Sequence, residues 1–252
     1  MLEFRVFQLK QEAEALLKLG GSFLDTSNDA LGQWIHALDR LCYDKNPNQQ
    51  SFVIPDEDGL RIRTVASSAY EPDPREGAYR VAGELCFKWD VALLPNPPAR
   101  TKRKFRVSGN ASTKLLIKEV RPNEQDRLLG HWQFELGAAD APGCFFHIGV
   151  GQSETPPMHF PKGLSVPRLP SILVTPTDAL DFLLGELFQT RWQQRNTEEL
   201  DEARIWGKHQ RHRLRKLLEW KREQLVDQSG SAWNRLKHQR QPRADLFLPS
   251  DD

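Results

Sequence analysis

Residues 81–93 alternate without a break. Val81, Gly83, Leu85, Phe87, Trp89, Val91 and Leu93 fall on one side, and Ala82, Glu84, Cys86, Lys88 and Asp90 on the other. Successive side chains of an extended chain point to opposite faces, so this period of two demands a strand with one apolar face. Such a strand needs antiparallel neighbours that share its sidedness. Matching segments occur at 105–107, 113–118, 131–136 (Trp132, Phe134 and Leu136 on one side) and 144–150. Asp56-Glu-Asp-Gly59 is turn chemistry between residues 52–54 and 60–65 and predicts a hairpin there. The sum is a meander of about five or six strands, an ordinary sheet size.

The period changes to helical on both sides of this region. Residues 7–19 place Ala13, Leu16 and Leu17 at helical spacing and stop at Gly20-Gly21. Asn28 and Asp29 can cap a second helix whose stripe is Leu31, Trp34, Ile35, Leu38, Leu41 and Cys42. Thr175-Pro-Thr-Asp178 offers a capping threonine, a proline at the first helical position and an acid facing the helix dipole. The stripe Ala179, Leu180, Leu183, Leu184, Leu187 and Phe188 makes that helix a core element. Asn196-Thr-Glu-Glu199 reads as a further capping box, opening a long charged helix that runs to about Asp227. Between sheet and core helix, residues 151–170 carry five prolines, which predicts an irregular connection. The fold class is therefore α+β: N-terminal helices, a mostly antiparallel sheet, one buried helix and a long basic C-terminal helical arm. The expected division is 1–195 for the globular domain and 196–252 for arm and tail.

Charge separates that last segment from the rest. Residues 191–244 hold fourteen Lys and Arg against seven Asp and Glu, in a chain of net charge +1, so the remainder carries about −6. No run approaches the roughly eighteen apolar residues of a membrane helix, and the first residues, Met1-Leu-Glu-Phe-Arg-Val, form no apolar signal block. Cys42, Cys86 and Cys144 are too sparse and ill-spaced for a zinc site and read as free thiols in a reducing, cytoplasmic compartment. No phosphate-binding loop, dinucleotide fingerprint or nucleophile elbow occurs, so no cofactor is expected.

Two surfaces carry candidate chemistry. On the C-terminal helix, Leu200, Ala203, Trp206, Leu214, Leu217, Leu218 and Leu225 share a third of the circumference. Arg204, Lys208, Arg211, Arg215 and Arg222 gather beside them. Leucines and Trp206 would give buried area to a protein partner or a second copy, and the cations would attract acidic groups or the phosphates of RNA or DNA. The expected contact set is Arg204, Lys208, Arg211, Arg215, Arg222, Trp206, Leu214 and Leu218, in a non-catalytic interaction subunit. Trp192, Trp206 and Trp220 recur every fourteen residues, but Glu199 and Arg213 interrupt a heptad seam through them, so they read as separate packing anchors.

The alternative is a metal-dependent hydrolase or nuclease on the exposed face of the sheet. With Leu136 opposite Cys144, Glu135 faces Phe145, Gln133 faces His147, and Glu135 and His147 become diagonal neighbours. His159, and Arg168 beyond it, would fold over the same face, giving a carboxylate and two imidazoles.

Overall fold

The computed structural model describes residues 1–27, 29–43, 49–54, 61–67, 80–95, 99–137, 144–151, 169–197, 200–226, 230–237 and 241–249. Asn28, the turn at 56–59, His159, Arg168 and Glu199 lie outside them. Among the described residues the strands are β1 (Glu3–Arg5), β2 (Gln49–Ile54), β3 (Ile62–Arg63), β4 (Val81–Leu93), β5 (Lys104–Glu119), β6 (Arg127–Leu136), β7 (Phe146–Gly151) and β8 (Leu169–Pro170). The helices are α1 (Val6–Gly20), α2 (Ala30–Tyr43), α3 (Pro176–Thr197), α4 (Asp201–Leu225) and α5 (Ala232–Lys237). The protein is α+β, and among these helices none is long and apolar enough to cross a membrane.

All the strand pairs are antiparallel, in the order β2-β4-β5-β6-β7-β8, with β1 on β5 and β3 on β4. The alternating run is β4, and its apolar face (Val81, Leu85, Phe87, Trp89, Val91, Leu93) is buried throughout. The segments 105–107 and 113–118 belong to one strand, β5, which follows β4 with a single register break between Trp89 and Val91. The expected hairpin does not form. Ile54 pairs with Phe87 and Ile62 with Leu85, so β2 and β3 lie in succession along the same edge of β4. Two short apolar segments around a turn signal can pair with each other or with a common neighbour, and the long face of β4 supplies more partners.

Helices cover that face. Trp34 of α2 stands edge-on to Phe87, centroids 4.8 Å apart. α3 starts as its sequence predicts: the Asp178 amide donates to Thr175 Oγ1 (3.2 Å) and the Thr175 amide to Asp178 Oδ2 (3.0 Å), a reciprocal cap with Pro176 at the first helical position. The helix breaks at Gln189 (φ 44°, ψ −118°), and the Ser67 hydroxyl donates to the Leu187 carbonyl beside the break. The tail returns to the start of the chain: the Glu3 amide donates to the Ala244 carbonyl (2.8 Å), and Phe247 stacks on Phe4 (5.8 Å).

α3 approaches β4 where β4 has no side chain. A Cβ at Gly83 would sit 2.6 Å from Leu183 Cδ1 and 2.7 Å from Leu187 Cδ1, both buried. Gly83→Val is expected to cost about 1–3 kcal/mol through overpacking, measured by denaturant unfolding. Gly149→Ala adds a Cβ with only ordinary contact, 3.9 Å from the Gln133 carbonyl, and serves as the near-neutral comparison.

Candidate functional site

α4 begins at Asp201, with Leu200 as a cap that makes no side-chain bond. The expected box at 196–199 does not open it. Asn196 lies inside α3, and its amide donates to Asp181 (3.3 Å). Asp201 and Glu202 in the first turn oppose the helix dipole instead.

The arm is docked along its length rather than projecting. Ala203, Trp206, Arg213, Leu217 and Trp220 are buried, and with Gln210 they step by three and four residues, the spacing of one helix face. The apolar members belong to the same core as α1, α3 and the sheet. Trp220 meets Phe146 of β7 edge-on at 5.4 Å. Trp206, expected to touch a partner, is therefore an internal anchor. Arg213 does not break the Trp206–Trp220 row but completes it.

The two polar members of the row meet acids on neighbouring helices. Arg213 Nε and Nη2 donate to Asp178 (2.9 and 2.7 Å), and its Nη1 and Nη2 donate to Glu12 of α1 (2.8 and 3.0 Å). The side chains of all three are under one-tenth exposed. Thr177 also donates to Glu12 (2.8 Å). One turn along α3, Asp181 accepts from Gln210 (2.7 Å) and Trp192 (3.0 Å). Burial alone would lower the Arg213 pKa; the two carboxylates outweigh it and hold the guanidinium above its ordinary value. Elsewhere along the α4 interface burial dominates and groups move toward neutrality: Asp181 is pushed up, and His209, His212 and Lys221 are pushed down. The Lys221 ammonium donates to the Ser171 carbonyl (2.5 Å), tying α4 to the connection between β8 and α3.

With that row inward, a different set faces solvent. Leu214, Leu218 and Leu225 are 36%, 51% and 42% exposed, and Arg204, Lys208, Arg211, Arg215 and Arg222 are exposed too. The expected stripe is split: Leu214, Leu218 and Leu225 lie on the outer flank, while Ala203, Trp206 and Leu217 turn inward. Arg204 pairs with Asp201, and Arg215 reaches Glu219 at 3.7 Å, which Lys216 also holds. Among the described residues, Lys208, Arg211 and Arg222 have no ion-pair partner.

On the sheet, Glu135 pairs directly with His147 and Leu136 with Phe146, two residues from the expected register. An even slip preserves the face and turns a diagonal into direct opposition. His147 Nε2 lies 2.9 Å from Glu135 Oε2, and its Nδ1 lies 2.9 Å from the Cys144 carbonyl. The carbonyl can only accept, so Nδ1 carries a proton. Gln133 donates to the second Glu135 oxygen (2.7 Å) and to Ser112 (3.0 Å). His147 is 3% exposed with both nitrogens engaged inside the fold, the geometry of a cross-strand brace. Among the described residues no group of three metal-ligating side chains converges.

No protein-family model matches the chain, and no curated protein or solved structure matches it either.

Arg213→Met removes the guanidinium paired with Glu12 and Asp178, and is expected to cost about 3–5 kcal/mol in denaturant unfolding. Adding Glu12→Leu to that variant is expected to restore part of the loss, since one uncompensated carboxylate goes with it.

Proposed function

We propose that this chain is a non-catalytic interaction protein that binds an anionic macromolecule through the outward face of α4, a protein in the first place and nucleic acid as the competing class. One observation carries the reading: leucines and unpaired cations share the exposed side of a helix whose opposite side is clamped by buried ion pairs. Exposed aliphatic surface interleaved with positive charge is costly to keep in water without a partner and is the composition of an interaction patch. A docked helix also presents that patch without an ordering cost at binding. Cys42, Cys86 and Cys144 are buried and in no disulfide, which supports an intracellular setting. A hydrolase built on Glu135, His147 and His159 has less support, because both nitrogens of His147 are committed to acceptors within the fold.

Immobilised heparin is a simple polyanion for testing the face. The native chain is expected to be retained at low salt, and the charge reversal Lys208→Glu/Arg211→Glu/Arg222→Glu to elute at clearly lower salt. The three positions are exposed, so unfolding should change by less than about 0.5 kcal/mol per site. Equal retention of the two proteins would remove α4 from the function.

A further inference from the structure

Arg211 and Leu214, Arg215 and Leu218, and Arg222 and Leu225 repeat one step, an arginine followed three residues later by a leucine. Because the three steps start four and then seven residues apart, they stack into two parallel ridges along α4. At about 100° per residue, the leucine ridge stands about 90° round from the docked row and the arginine ridge about 60° further. A shallow groove runs between them, lined by Arg211, Leu214, Arg215, Leu218, Glu219 and Arg222. On the other side of the leucines, Lys221 holds the Ser171 carbonyl, and the next residue, Ile172, is exposed.

Resting on the reading of this face as an anion-binding surface, we infer that its partner is an acidic amphipathic helix of another protein, lying along the leucine ridge. Three observations select that occupant. A nucleic-acid strand uses cations for phosphates and aromatic rings for bases. Both tryptophans of α4 are buried in the docked row, and the exposed ridge is aliphatic. Leucines at spacings of four and seven fit the apolar stripe of a second helix, packed ridge into groove. A second copy of this chain would set the unpaired Lys208, Arg211 and Arg222 against their own equivalents, which like-charge repulsion disfavours. Carboxylates beside the leucines of an acidic helix would instead meet these cations. From Leu214 to Leu225 the ridge spans about 16 Å, so the matching segment is about three helical turns.

Fluorescence anisotropy on the full chain tests this with four labelled probes at about physiological salt: a helical peptide of about four turns with leucine every three or four residues and glutamates between, the same peptide with lysines, single-stranded RNA and duplex RNA. The acidic peptide is expected to bind in the micromolar range, and Leu218→Asp and Arg211→Glu are each expected to weaken it about tenfold. The lysine peptide and both RNAs should not bind. RNA binding without peptide binding would overturn the inferred partner and leave an anion-binding face standing; no binding to any anion would overturn both. A dimer of the native chain in sedimentation that dissociates in Leu218→Asp would assign the ridge to a second copy and also overturn it. The double variant Leu214→Ser/Leu218→Ser separates folding from binding. An unchanged melting temperature supports the inference, and a clear fall would place these leucines in the fold and sink it.

Discussion

A guanidinium under one-tenth exposed needs acceptors for its donors, and Arg213 finds them only when α4 is turned so that it points between Glu12 of α1 and Asp178 of α3. Four hydrogen bonds to two carboxylates make that rotation specific, because a turn of one residue, about 100°, would carry Arg213 out of the seam and leave both carboxylates buried without their cation. Asp178 also caps α3, so the contact that orients α4 is built into the start of the helix beneath it. The Gln210–Asp181 bond one turn away enforces the same register. Whatever faces solvent on α4 therefore inherits its direction from this cluster, including the arginine and leucine ridges.

The cluster can exist only because apolar packing on either side excludes water from it. Trp206 and Trp220 flank Arg213 on the docked row, and the Arg213 guanidinium carbon lies 6.0 Å from the Trp206 ring centroid. Trp220 joins a chain of rings through Phe146, Phe247, Phe4 and Trp89, with neighbouring centroids 5.4 to 5.9 Å apart. That chain links α4 and the C-terminal tail to β1, β4 and β7. Sheet, helical layer and terminal segments are thus one packed unit around the ion pairs. In a low-dielectric setting of this kind a fully satisfied polar network specifies one arrangement, where leucines alone would tolerate several.

Much of the architecture is legible in the chain because it is written in local periodicity. The alternation of β4, the stripe of α2 and the cap of α3 each lie within a few adjacent residues, and each appears in the structure; of the α1 stripe, Ala13 and Leu16 are buried but Leu17 is exposed. Pairing is less legible. The slip of two residues between β6 and β7 and the placement of β2 and β3 in succession along one edge of β4 depend on partners that no local window contains. The largest departure concerns α4, whose single expected stripe divides, with Leu214, Leu218 and Leu225 on the outer flank and Ala203, Trp206 and Leu217 turned inward. The inner arc includes Gln210 and Arg213, which look unfit for burial until Asp181, Asp178 and Glu12 are placed opposite; Glu12 is 201 residues away in sequence. Two signals were present. Trp206 and Trp220 stand fourteen residues apart with Arg213 midway, and Glu12 sits among the apolar positions Leu9, Ala13 and Leu16 of α1. A cation in a tryptophan seam together with an acid in a leucine stripe is the trace that a buried ion pair leaves in sequence.

The rotation of α4 is open to direct measurement by placing single cysteines at successive positions from 203 to 225 and recording the rate of maleimide modification in the folded chain. The native cysteines are buried, so the background is low. Slow modification should recur at 206, 210, 213, 217 and 220, with fast modification at 211, 214, 218, 222 and 225. A pattern with its minima at 214, 218 and 225 would show the leucine ridge turned inward, and would contradict both the role given to Arg213 and the surface that depends on it.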